Sequence, residues 1–245
     1  MLEQTDNRRY FSSQQGTQTL PVAKTFMAQV FLWMTLAMSV TAITAYLFAG
    51  NQNLINSLLN PVTGSLTGLG WVVTLGPIGF VLLMSFGFQR LSPAAMTLLF
   101  MTFSVLMGMS LSFILRVYTA SSVYQTFAIT GGMFGVMAIT GYTTKTDLTK
   151  FGSIMFMGLI GLMIAMLVNF FLNSSTLEYI ISIIGVLIFT GLTAYDVQRL
   201  KKIGSGAGEY GTADARKLSI LGALTLYLDF INLFLFLLRF MGDRK

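Results

Sequence analysis

The chain has 245 residues, 54% of them hydrophobic and 10% charged, against about 25% charged in an average soluble domain, so water is the wrong solvent for most of it. Fifteen Lys and Arg against nine Asp and Glu leave +6 at pH 7, but the cations are scattered and form no patch able to track phosphates, so nucleic acid is not an expected partner. With no Cys and no His, thiolate nucleophiles, disulfides, zinc and haem ligation and every imidazole-based triad drop out.

Residues 1–25 are polar and read as a cytoplasmic tail. The apolar run behind them is too long for a signal-peptide core and shows no cleavage pattern, so it reads as a retained first span. Arg8 and Arg9 before Tyr10 and Phe11 resemble a twin-arginine export signal, but the apolar region begins some fifteen residues too late for one. A bilayer core of about 30 Å takes roughly 20 apolar residues per helix. Seven apolar runs approach that length: Phe26 to Ala49, Val72 to Phe88, Ala94 to Leu115, Ser121 to Tyr142, Phe151 to Leu172, Ile180 to Tyr195 and Leu218 to Leu238, the last interrupted only by Asp229. The expectation is an all-α integral membrane protein with seven transmembrane helices over 26–240, short connections, and a C-terminal tail at 241–245.

Within the second span Gly76, Pro77 and Gly79 predict a kink, since proline removes one intrahelical hydrogen bond. Ser104, Gly108 and Ser112 in the third span, and Gly131 and Gly135 in the fourth, recur at four-residue spacing and predict close helix contact. Asn173, Ser174 and Ser175 form a glycosylation sequon to which no weight is given. Gly206, Gly208 and Gly211 satisfy G-x-G-x-x-G, but no strand precedes them, so the segment reads as a linker between the sixth and seventh spans.

Basic residues are retained on the cytoplasmic side. An inside N-terminus places eleven of them inside and four outside, the four being Arg116, Arg239, Arg244 and Lys245. A cytoplasmic N-terminus and an outer C-terminus are therefore expected.

The acidic residues carry the functional signal. Glu3, Asp6, Asp147, Glu178, Glu209, Asp214 and Asp243 fall in tails or loops. Asp229 does not: it lies eleven residues into the seventh span, about 16 Å deep by helical rise and close to the bilayer midplane. An ionised carboxylate there costs roughly 2.5–3.5 kcal/mol on the lenient insertion scale, so it must face other helices or water. Gly222, Thr225, Asp229 and Asn232 share one helical face, a polar stripe turned inward. Asp196 closes the sixth span in Thr193-Ala-Tyr-Asp-Val-Gln-Arg199. It pairs with Arg199 on the surface, or Thr193, three residues earlier, places it on the bundle face. Arg90 ends the second span on the same side, so an Arg90 to Asp196 contact is topologically allowed.

Thr144-Lys-Thr-Asp147, Gly191-Leu-Thr-Ala-Tyr-Asp196-Val-Gln-Arg199 and Leu226-Tyr-Leu-Asp229-Phe-Ile-Asn232-Leu-Phe resemble the Bax inhibitor-1 family, the transmembrane Bax inhibitor motif proteins, in its bacterial branch. The likeness covers nearly all of the chain after the polar tail. It implies a central seventh helix surrounded by helices one to six, a multi-pass protein of the bacterial inner membrane, and a calcium leak governed by pH. By motif match the sensing carboxylate pair, and the weak Ca²⁺ site, is Asp196 with Asp229. The latch partner of Asp196 is Arg90, and Thr193, Thr225 and Asn232 support the pair.

Two carboxylates in low dielectric cannot both ionise freely, so the pair is expected to titrate as a unit. With one proton shared, the pair holds its helices together and leaves Asp196 to Arg90; losing the proton adds repulsion and favours opening. The expected partners are lipid, Ca²⁺ and H⁺, with no cofactor and no identified membrane-protein partner. A proton-coupled carrier of another solute, and a non-conducting regulator acting through other membrane proteins, remain open readings. An enzyme is not expected, because aspartyl proteolysis needs both carboxylates at one depth and Asp196 counts as the shallower.

Overall fold

The structure, a computed structural model, describes residues 3–207 and 211–245, with side chains from Ala23 onward. Arg8, Arg9 and the other side chains of the polar segment lie outside the described residues, as does Gly208. Eight helices follow one another: α1 (Glu3–Gly50), α2 (Gln52–Leu58), α3 (Gly68–Phe86), α4 (Pro93–Val117), α5 (Ala120–Thr143), α6 (Thr149–Leu172), α7 (Ser175–Gly206) and α8 (Thr212–Met241). Among the described residues there is no strand, and all but α2 are long and apolar enough to cross a bilayer, α1 over Ala23–Gly50. Hydroxyl side chains start four of the spans. Thr67, Ser92, Thr119 and Ser174 accept hydrogen bonds from the backbone N–H groups of Gly70, Ala95, Ser122 and Leu177, which would otherwise be unpaired in the first turn.

The seven runs are all present, but two were drawn too short. The sixth extends from Ser175 to Gly206, ten residues past Asp196, and the seventh begins at Thr212, six residues ahead of Leu218. The turn helix α2 lies in a connection expected to be plain loop. Pro77 is buried inside α3, which runs through it without interruption. Gly206 ends α7 and Gly211 precedes α8, so the glycine-rich segment joins two helices, as read from the sequence.

α8 is the core of the bundle. Of its most apolar window 72% is buried, against 6% for α6, whose side chains face outward nearly all round. It packs against α1, α4, α5 and α7, while α3 lies behind α4 and α6 behind α7. Ser104, Gly108 and Ser112 line the contact face of α4, and a side chain at Gly108 would meet the Thr41 carbonyl at 2.6 Å.

The expectation for Gly131 and Gly135 is corrected. Nothing lies within 4 Å of where their Cβ atoms would stand. The buried face of α5 is instead Ser122, Thr126, Thr130, Phe134, Ala138 and Gly141, with the Phe134 ring edge-on to Phe230 of α8 and Gly141 against Ala194 of α7. Gly135→Ala should consequently raise stability by about 0.5–1 kcal/mol through helix propensity alone, read as a higher unfolding midpoint of the detergent-solubilised protein.

The connections at the basic end are held by side chains. The Gln198 amide donates to the Thr146 carbonyl at 2.7 Å and accepts from Leu148 N–H at 2.8 Å. Lys201 donates to the Tyr142 carbonyl at 2.7 Å, and Lys202 pairs with Asp147 at 2.7 Å. Lys202, helped by Thr149, holds the Asp147 carboxyl down to about 2, against its usual 3.8. A lowered carboxyl stabilises the fold fully above about pH 4, and that contribution fades as pH falls through the folded value. Asp147 is exposed, so the effect is small. Lys202→Gln should remove it, seen as a slightly earlier onset of acid unfolding.

At the opposite end the residues after α8 fold back onto the α4–α5 turn. Tyr118 and Arg244 form an antiparallel bridge, Thr119 N–H donates to the Asp243 carbonyl at 3.0 Å and Lys245 N–H to that of Val117 at 2.9 Å. Glu178, at the start of α7, accepts Arg239 at 3.6 Å and Arg244 at 3.3 Å.

Candidate functional site

α7 and α8 are antiparallel, and close glycine contacts fix their register. Gly185 lies under the Phe236 ring and Gly222 against Leu200. This register brings Asp196 and Asp229 within about one turn of each other along the pair. Both are buried, at 4% and 5% exposure, and close enough for their carboxyl groups to influence one another. Asp229 Oδ2 is shielded from solvent and has no hydrogen-bond partner among the described residues. The difference in depth counted from the sequence therefore disappears, because α7 continues well beyond Asp196. With it goes the depth argument against a paired-aspartate enzyme.

Neither carboxylate forms an ion pair among the described residues. Arg199 is exposed while Asp196 is buried, so the surface pairing of the two gives way to the bundle-face placement. Arg90 is exposed in the turn after α3 and is not brought to Asp196. The cation that ties the turn after α3 to α8 is Lys217, which sequence reasoning counted only among the inner basic residues. Lys217 is 7% exposed; it pairs with Asp214 at 2.8 Å, donates to the Phe88 carbonyl at 3.1 Å and lies 4.7 Å over the Phe88 ring. An amphipathic lysine at a helix start gives no sequence signal beyond the aromatic residue waiting across the gap.

The supporting polar residues serve their own helices. Thr193 donates to the Phe189 carbonyl at 2.7 Å, Thr225 to Leu221 at 3.1 Å and Asn232 to Leu228 at 2.8 Å. Thr225 and Asn232 lie on the half-buried flank of α8 beside Asp229. A second polar contact on α8 was missed. Thr41 donates to the Ser104 carbonyl at 2.9 Å, so its oxygen is the acceptor for the Tyr227 hydroxyl at 2.8 Å. Tyr227 is fully buried and flanked edge-on by Phe100 and Phe103. In an apolar run a tyrosine reads as one more aromatic, which hides this bond.

Among the described residues no third acidic side chain joins the pair. The arrangement can hold one proton between two carboxyl groups in a water-poor interior. It can also offer oxygens to a hard cation whose remaining ligands are water and backbone carbonyls.

The profile of the family described as Inhibitor of apoptosis-promoting Bax1 matches residues 23–245. The chain is 48% identical over 222 residues to the inner membrane protein YbhL of Escherichia coli K12, covering 91% of this chain and 93% of that one. It is 42% identical over 231 residues to an uncharacterized protein of Borreliella burgdorferi, covering 94% and 97%, and 41% identical over 220 residues to one of Rickettsia prowazekii, covering 90% of each. The motifs around Asp147, Asp196 and Asp229 lie within the matched region; the first meets α7 through Lys202 and Gln198, and the other two lie on the packed α7–α8 pair. This integral, multi-pass membrane protein is a member of the Bax inhibitor-1 family.

Proposed function

We propose that the protein is a pH-sensitive calcium leak of the bacterial inner membrane, with its N-terminus in the cytoplasm and with Asp196 and Asp229 as joint proton sensor and ion-binding point. The observation that carries this reading is the burial of both Asp196 and Asp229 on the packed α7–α8 pair, with Asp229 Oδ2 left without a partner among the described residues. Two full charges repel in low dielectric, and one proton between them turns that repulsion into a hydrogen bond joining α7 to α8. Losing the proton reverses the sign, loosens the helix pair and frees oxygens for Ca²⁺, so flux rises as the medium becomes less acidic. Arg90 acts as the latch when α3 swings in towards Asp196.

No chemical reaction is assigned to the pair. Its near-complete burial leaves no bed for a peptide backbone. Calcium is cargo here, and the sparse donor set suits release more than storage.

Reconstitution in proteoliposomes with a trapped calcium dye tests the reading. The parent protein should leak Ca²⁺ in a pH-dependent manner. Asp229→Asn and Asp196→Asn, which keep the shape and remove the shared proton, should each flatten the pH profile. An unaltered profile in both variants, or saturable counterflow of another solute without Ca²⁺ flux, overturns it.

A further inference from the structure

α4 and α5 are joined by two residues, Tyr118 and Thr119, yet they do not pack along their lengths. α4 lies on α1 and α3, and α5 on α7, with α8 touching both. The divergence leaves a cavity of about 680 Å³ whose walls include Ala45 of α1, Leu111 of α4, Phe127 of α5 and Phe234 of α8. Its lips, Tyr46 and Tyr124, are exposed, so the cavity opens sideways where the bundle meets lipid. The hydroxyl of Thr41 lies in the wall but is already engaged with Ser104 and Tyr227. Water entering this slot would find too few partners, whereas hydrocarbon loses nothing there.

The mouth differs in character. Lys245 lines it and spends one donor on the Leu115 carbonyl at 3.2 Å, leaving two. Arg116, the next residue after Leu115, is exposed and donates to Gln52 at 2.6 Å. Neither cation forms an ion pair with an acidic side chain among the described residues, while the neighbouring Arg239 and Arg244 share Glu178. Lys245 on the slot, and Arg116 next in the chain to its wall residue Leu115, have no acidic partners among the described residues and complement one amphiphile, an anion carried on a hydrocarbon chain.

We propose that this groove binds one membrane phospholipid, with an acyl chain between α1 and α5 against Phe127 and Phe234 and with its phosphate at Lys245 and Arg116. The site touches the central helix directly, so the lipid becomes part of the packing around α8. It does not rest on ion conduction, and the readouts below are independent of calcium flux.

The two native tryptophans, Trp33 and Trp71, are replaced by phenylalanine, and Phe234→Trp supplies a single reporter on the floor of the groove. In proteoliposomes of phospholipid brominated along the chain, the reporter should be quenched as strongly as a lipid-facing Ile160→Trp control. Filling the slot with Ala42→Leu and Ala49→Leu should remove most of that quenching and leave the control unchanged. Native mass spectrometry of the full chain should show one retained phospholipid, lost in Arg116→Gln with Lys245→Gln. A reporter that stays unquenched, or that is quenched equally with and without the filling substitutions, overturns the chain site. Retention unaffected by the two cation substitutions overturns the phosphate site. Unfolding midpoints close to that of the parent show that each variant is intact.

Discussion

Gly141→Val should destabilise the protein by about 3 kcal/mol or more, at the upper end of what overpacking costs. At Gly141 a Cβ would run into the backbone of Ala194, carbonyl oxygen included. Backbone cannot rotate away as a side chain does, so α5 must move off α7 along its length. Even Gly141→Ala should lose about 1–2 kcal/mol despite the better helix propensity of alanine, the opposite sign to Gly135→Ala on the same helix. Thermal unfolding of the three purified variants in one detergent checks the order. A second consequence follows from position: Ala194 precedes Asp196 by two residues, so pushing α7 outward should also separate the carboxyl groups and weaken the pH response of any Gly141→Ala protein that reconstitutes.

Lys217→Met should release the basic end of α3. The ammonium is nearly buried and has three partners, the Asp214 carboxylate, the Phe88 carbonyl and the Phe88 ring. Hydrogen bonds involving a charged group contribute about 1.5–3 kcal/mol each, and half of Asp214 remains solvated, so a loss of about 2 kcal/mol is expected for the tether. That shifts the balance between anchored and released α3 roughly thirtyfold. The chain has no cysteine, so spin labels placed through Gln89→Cys and Leu221→Cys report on this gap without background removal. The distance distribution should broaden in Lys217→Met and stay narrow in Lys217→Arg, which keeps the charge. If α3 carries Arg90 towards Asp196 once freed, Lys217→Met should also lower calcium flux at a given pH.

The seven spans were legible because an apolar run with at most one charge and long enough for a bilayer is hard to produce for any other reason. Span ends were less legible, and the cause is visible at α7. Hydropathy stops at Asp196, but the helix continues because Gln198 and Lys202 find partners in the α5–α6 connection and Lys201 finds one in the last turn of α5. A polar residue with a tertiary partner looks, in sequence, like a residue in a loop. Asp229 stood out through its cost alone. That Asp196 is its neighbour depended on the antiparallel register, which Gly185 and Gly222 set by admitting Phe236 and Leu200, and small residues do not announce which neighbour they admit. Gly131 and Gly135 show the reverse: their spacing suggested contact, and α5 turns them outward. Arg90 is exposed after α3, and the contact between that turn and α8 is made by Lys217 on Phe88, a pairing that sequence alone offered no means of choosing.

The helix with the highest share of buried surface is α8, and it follows all six of the other spans in the chain. During synthesis α1 and α3 to α7 enter the bilayer before the rod they are to enclose has left the ribosome, so they cannot reach their final packing one by one. Insertion and assembly are therefore separate events for this protein, and the acid at position 229 crosses into lipid only when a ring of waiting neighbours is there to receive it.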